Sequence, residues 1–106
     1  MSSEKLPITV MIPTLNAEGH LVELLDSIES YVADIFIVDS FSIDKTVDIA
    51  LERKVKIVQR HYVTSSNQFQ WMVDKLPVQT DWIFFMAQDE RFNPSLVKNL
   101  RELFAS

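Results

Sequence analysis

Four apolar runs of strand length, at residues 8–12, 35–38, 55–58 and 82–86, alternate along this chain with four segments whose apolar residues recur at helical spacing. The runs are dominated by β-branched and aromatic side chains, as buried strands require. Between the first two, Leu21, Leu24, Leu25 and Ile28 fall at i, i+3, i+4 and i+7, which is one face of a helix. Val47, Ala50 and Leu51 repeat the pattern more briefly in a second helix. Phe69, Met72, Val73 and Leu76 form the stripe of a third, and Leu96, Val97, Leu100, Leu103 and Phe104 that of a fourth. Asn93-Pro94 opens the last helix, with Asn as its cap and Pro at the first helical position, where a missing N–H costs nothing. Strict alternation of strand and helix implies βαβ crossovers. The expected fold class is therefore α/β, a Rossmann-like three-layer α/β/α arrangement around a mainly parallel sheet of about four strands. In such sheets ligands bind beyond the carboxyl ends of the strands, at the point where strand order reverses. Candidate functional residues should follow the strands directly.

A length of 106 residues suits one domain with one core, so residues 1–106 are read as a single unit without repeats or linkers. The chain is 47% apolar and 24% charged, a globular balance that excludes disorder. No apolar run approaches the ~20 residues of a membrane span, and the opening "MSSEKLPITV" lacks the layout of a secretory signal. A cytoplasmic location is expected. With no Cys, any metal must rest on oxygen or imidazole ligands. The net charge of -5, with basic residues scattered, excludes a nucleic-acid partner, which demands a clustered basic face. A phosphorylated ligand on an acidic chain calls for a divalent cation to offset the repulsion.

After the first strand comes "PTLNAEGH", residues 13–20. The chain holds one Gly, Gly19, so a dinucleotide Gly-x-Gly-x-x-Gly turn and a P-loop are both excluded. Pro13 stiffens the turn, Asn16 is placed to cap the helix, and Glu18 lies near the positive end of its dipole. Capping alone would explain these residues. After the second strand comes "VDSFSIDKT", where Asp39 stands at the point that α/β nucleotide folds use for a carboxylate against ribose or base. Asp44 suits the cap of the following helix. After the fourth strand, "WIFFMAQDE" ends on Asp89 and Glu90.

Taken together, "PTLNAE", "DSFSIDKT" and "WIFFMAQDE", with "NQFQW" at 67–71, resemble the N-terminal half of the family 2 glycosyltransferases of the GT-A fold. In that family the strands run into Pro-Thr-aromatic-Asn-x-Glu, Asp-Ser-x-Ser-x-Asp-x-Thr and Asp-x-Asp-Glu. The resemblance implies a nucleotide-diphosphate sugar donor, with Pro13, Thr14, Asn16 and Glu18 shaping the nucleotide pocket and Asp39 hydrogen-bonding the base. It makes Asp89 the ligand of a divalent metal, Mg or Mn. Three positions depart from the pattern: Leu15 stands for the aromatic, Ala87 for the first Asp of Asp-x-Asp, and Phe69 for a basic residue. The resemblance ends soon after Asp89, while family members continue into an acceptor-binding half that supplies the catalytic base, so no catalytic residue is nominated. A chain cut at this point is expected to be truncated at its C-terminus and to self-associate through uncovered surface. The alternative reading is a non-catalytic or truncated nucleotide-binding module. A receiver-type signalling domain is disfavoured because Pro13-Thr14 stands where a receiver's acid pair would follow the first strand.

Overall fold

The computed structural model describes residues 5–105 and places eight elements in strict alternation. They are β1 (Leu6–Thr14), α1 (Glu18–Ile28), β2 (Val32–Asp39), α2 (Thr46–Glu52), β3 (Lys56–Gln59), α3 (Ser65–Lys75), β4 (Trp82–Phe85) and α4 (Pro94–Ala105). All strand pairings are parallel, in the order β3-β2-β1-β4. The α/β class and three-layer arrangement expected from the sequence are the observed ones. The first two crossovers build the sheet outward in one direction from β1, and the third returns to its other side. The switch point therefore lies between β1 and β4.

The period of 2 along the central strands divides the core. Leu6, Ile8, Val10 and Ile12 of β1 join Ile35 and Ile37 of β2 on one face, where α1, α2 and α4 pack through Leu21, Leu24, Leu25, Ile28, Ala50 and Val97. Met11, Phe36 and Val38 face the other way and meet Met72 of α3 and Leu76 just after it. One face thus carries three helices and the other carries one. The central strands are buried nearly throughout, whereas β3 and β4 are only half-buried. This corrects the expectation of four buried strands, and the reason is strand order: a sheet edge lacks a neighbour on one side. The helical stripes are also narrower than the periodicity predicts. Leu51, Val73 and Leu103 are exposed, while Ile49 packs on the core in α2 and Gln68 is buried in α3.

Local chemistry sets the helix ends. Asn93 Oδ1 accepts from the N–H of Leu96 at 2.8 Å, the cap expected for α4. Helix α2 ends with Lys54 at φ 58°, its N–H donating to Leu51 O and that of Val55 to Ala50 O. This is a Schellman closure, with Lys in the left-handed position that Gly usually takes.

Candidate functional site

The carboxyl ends of β1, β2 and β4 enclose a cleft of about 260 Å³ lined by Pro13, Thr14, Leu15, Ser40, Tyr62 and Gln88. Its place at the switch point is the one that α/β topology assigns to ligands. The volume lies just below the ~300 Å³ at which small-molecule sites begin, so it suits part of a ligand. Another hollow, about 340 Å³ at the opposite end of the sheet, is lined in part by charges already paired, Arg53 with Glu29 and Lys56 with Asp34. Strand polarity and this internal pairing both favour the first.

Asp39 forms the floor beneath Thr14. It is fully buried, and both carboxylate oxygens are doubly engaged. Oδ1 accepts from Thr14 Oγ at 2.7 Å and Ser42 Oγ at 2.6 Å, and Oδ2 accepts from Ser42 N–H at 2.8 Å and Gln59 Nε2 at 3.2 Å. Burial pushes its pKa up, but these bonds, first those from Ser42 and then those from Thr14 and Gln59, hold it below the ordinary carboxylate value. The carboxylate ties the ends of β1, β2 and β3 together.

The two motif loops that follow β1 and β2 interlock above it. Asn16 N–H donates to Ser42 Oγ at 2.8 Å, and Asn16 Oδ1 accepts from Ile43 N–H at 2.9 Å. Asn16 therefore does not cap α1. Its backbone is left-handed at φ 49°, which Asn tolerates, and its side chain reaches across to the β2–α2 loop. Helix α1 is capped from that loop and the first residue of α2 instead: Thr46 Oγ accepts from Ala17 N–H at 2.8 Å, and Asp44 Oδ2 accepts from Glu18 N–H at 3.0 Å. Glu18 reciprocates, accepting the Lys45 N–H at the start of α2 at 2.9 Å. Asp44 also accepts from the Thr46 N–H at 2.9 Å, close to the capping role expected of it. Slight desolvation pushes the Asp44 pKa up, but hydrogen bonds from Thr46 and from the Glu18 N–H hold it below the ordinary value. Each helix thus receives a carboxylate from the residues that open the other, at the positive end of its dipole.

Across the switch point, Gln88 clamps β4 to β1. Its Oε1 accepts from Leu15 N–H at 2.9 Å and its Nε2 donates to Leu15 O at 3.2 Å, so the side-chain amide continues the strand pairing beyond the end of β4. The following turn is pinned twice. Glu90 Oε1 accepts from Ala87 N–H at 2.6 Å, and the Arg91 guanidinium donates to Gln88 O, Glu90 O and His20 O at 3.0, 2.7 and 2.9 Å. Asp89 rides on this turn, exposed, and its carboxylate has no hydrogen bond or ion pair within the described residues.

Among the described residues no three His, Cys, Asp or Glu side chains gather as a ready cation cage. The donor chemistry available is one open carboxylate, Asp89, next in the chain to a residue lining the cleft. That suits a Mg²⁺ or Mn²⁺ ion held mainly by phosphate oxygens and water, which is how such hard cations are bound beside phosphorylated ligands.

Pro13 and Thr14 line the cleft, Asp39 lies beneath it, and Asn16 and Glu18 belong to the interlock that shapes its wall. Ser40, Tyr62 and Gln88 were not among the expected site residues. Tyr62 follows β3, so inspecting the end of that strand as closely as the other three would have found it. Nothing local marks Gln88, because its partner lies 73 residues away.

A family model described as Glycosyl transferase family 2 matches residues 9–106. An uncharacterized glycosyltransferase of Rickettsia felis is 28% identical over 99 residues, covering 93% of this chain and 34% of that protein. The chain spans about a third of the length of the curated relatives it matches. Among solved structures, TarS of S. aureus (1-349) superposes with a TM-score of 0.72 at 20% identity, over 96% of this chain and 32% of that one. Glucosyl-3-phosphoglycerate synthase from Mycobacterium tuberculosis, crystallised with Mn²⁺, UDP and glucosyl-3-phosphoglycerate, superposes with a TM-score of 0.63 at 20% identity, over 82% of this chain and 35% of that one. These likenesses establish the shared fold.

Proposed function

This chain belongs to glycosyl transferase family 2, and from that membership we propose that it forms the donor-binding half of a glycosyltransferase that takes a nucleoside-diphosphate sugar. The observation that carries the reading is the cleft at the β1/β4 switch point, walled by Pro13 and Thr14 with Asp39 beneath. Thr14, Asn16 and Glu18 shape the pocket through their bonds to Asp39, Ile43 and Lys45. Asp39 is the group assigned to the nucleobase. All its acceptor positions are engaged within the chain, so contact with a base requires exchange of one partner. The exchange falls on Ser42 or Gln59, which are more accessible than buried Thr14.

Asp89 is the proposed protein ligand of a divalent ion, Mg or Mn. When bound, the ion would offset negative charge on the departing nucleoside diphosphate as a Lewis acid. The protein's own contribution is to hold Asp89 on a pinned turn beside the cleft. No residue here is assigned as the base that activates an acceptor, and the acceptor-binding part is expected elsewhere in a full-length enzyme. That the glucosyl-3-phosphoglycerate synthase relative was crystallised with both Mn²⁺ and UDP supports this reading.

Calorimetric titration with UDP and UDP-sugars, with and without Mn²⁺, tests it. Metal-dependent binding is expected, and restoring an acid with Ala87→Asp should tighten it several-fold, because Ala87 lies exposed on the same turn. Equal affinity with and without metal would exclude the proposed ion, and failure of all nucleotides to bind would exclude the donor site.

A cytoplasmic setting remains part of the proposal; no helix among the described residues is long and apolar enough to cross a membrane. Self-association is proposed through the β4 edge, where Trp82 is 58% and Phe85 37% exposed. Open edges with apolar side chains seldom stay bare. Sedimentation at micromolar concentration should show dimers or larger species, and a clean monomer would count against the idea.

A further inference from the structure

The cleft contains one aromatic ring, and it comes from none of the motif stretches. Tyr62, in the loop after β3, lines the cleft with Pro13, Thr14, Leu15, Ser40 and Gln88. Its side chain is half-exposed, so the ring is neither core nor free in solution. Two contacts pre-position it. Its hydroxyl lies 3.0 Å from Ser65 Oγ at the start of α3. The preceding residue, His61, stacks on Phe41 with ring centroids 4.4 Å apart, which fastens the loop after β3 to the loop after β2. Phe41 holds a left-handed backbone at φ 60°. For a bulky residue that conformation is strained, and such strain gathers at functional sites.

A ring anchored at its hydroxyl and lining a cleft of about 260 Å³ is a platform for a flat ligand group. Apolar Pro13 and Leu15 share the cleft with Ser40, whose side chain carries a hydroxyl. Apolar surface with a polar group beside it suits a heterocycle, which offers apolar faces and hydrogen-bonding edges. We propose that Tyr62 is the stacking platform for the nucleobase of the donor, and that it makes base affinity in this chain depend on the loop after β3. The inference rests on the nucleotide-binding reading above and assigns a base-contacting residue outside the motif segments. Stacking of a base on an aromatic side chain is sequence-tolerant because every base has a π-face. Tyr62 should therefore contribute to affinity for any nucleoside diphosphate.

The test is titration of the chain and its Tyr62 variants with UDP in Mn²⁺, together with proton NMR of the nucleotide bound in diamagnetic Mg²⁺. Tyr62→Ala should weaken UDP binding about tenfold. Tyr62→Phe, which keeps the ring and loses the Ser65 contact, should stay within about threefold of wild type. Uracil H5 and H6 should move upfield on binding to wild type and Tyr62→Phe, and this shift should vanish in Tyr62→Ala. Circular dichroism checks that each variant folds. UDP affinity unchanged in Tyr62→Ala would overturn the inference and leave the donor-site reading standing. So would an upfield shift carried by ribose protons instead of H5 and H6, or equal losses in Tyr62→Ala and Tyr62→Phe. Absence of binding by wild type to UDP, CDP, ADP and GDP alike would overturn both.

Discussion

Replacing Asp39 with Ala is expected to destabilise the fold by about 3 kcal/mol, because hydrogen bonds to an ionised carboxylate contribute ~1.5–3 kcal/mol and orphaned buried partners add a further cost. The carboxylate is fully buried and accepts from Thr14, Ser42 twice, and Gln59. Of these partners, the Thr14 hydroxyl is itself buried, so it cannot simply turn to water when Asp39 is gone. Asp39→Asn keeps the shape but presents an NH₂ to donors on one side, and should cost about half as much. Urea unfolding monitored by Trp fluorescence measures both. The same carboxylate has a pH signature. Its folded pKa is depressed relative to 3.8, so its contribution is complete above that value and is lost as pH falls through the folded pKa. Wild type should therefore lose stability below about pH 4, and Asp39→Asn should lose less over that window. A variant with wild-type stability would mean that the ends of β1, β2 and β3 are held without this carboxylate.

Asp89→Ala should have the opposite profile, with no effect on folding and a large one on ligand. The side chain is exposed and makes no hydrogen bond or ion pair within the described residues, so stability should stay within about 0.5 kcal/mol of wild type. If Asp89 is the sole protein ligand of the proposed cation, Mn²⁺ should tighten UDP binding by about tenfold or more in wild type and leave it unchanged in Asp89→Ala. Glu90→Ala is the informative companion. Glu90 accepts from Ala87 N–H and shapes the turn, so its loss should weaken metal-dependent binding partially by loosening Asp89. Metal enhancement that survives intact in Asp89→Ala would move the cation to other ligands.

Most of the architecture was legible in the chain itself. Apolar runs and helical stripes are local patterns, and they placed all eight elements in order. The Asn93 cap of α4 was likewise readable, because cap and helix lie within four residues of one another. Strand ends fall where apolar runs stop, so Asp39 and Asp89 could be set beside the expected ligand cleft before any coordinates.

What periodicity does not carry is strand order, and the details of the site depend on it. The order β3-β2-β1-β4 makes β3 and β4 edges, which is why runs that read as buried strands are half-exposed. It also sets β1 beside both β2 and β4. Only then does Asn16 meet Ile43, does Glu18 exchange caps with Asp44 and Lys45, and does Gln88 reach Leu15. The sequence by itself determined which polar residues end the strands, because burial imposes the apolar pattern that stops there. Tertiary structure alone decided which of them bond to one another and which, like Asp89, are left facing outward, because those partners lie far apart in the chain and meet only when the sheet assembles.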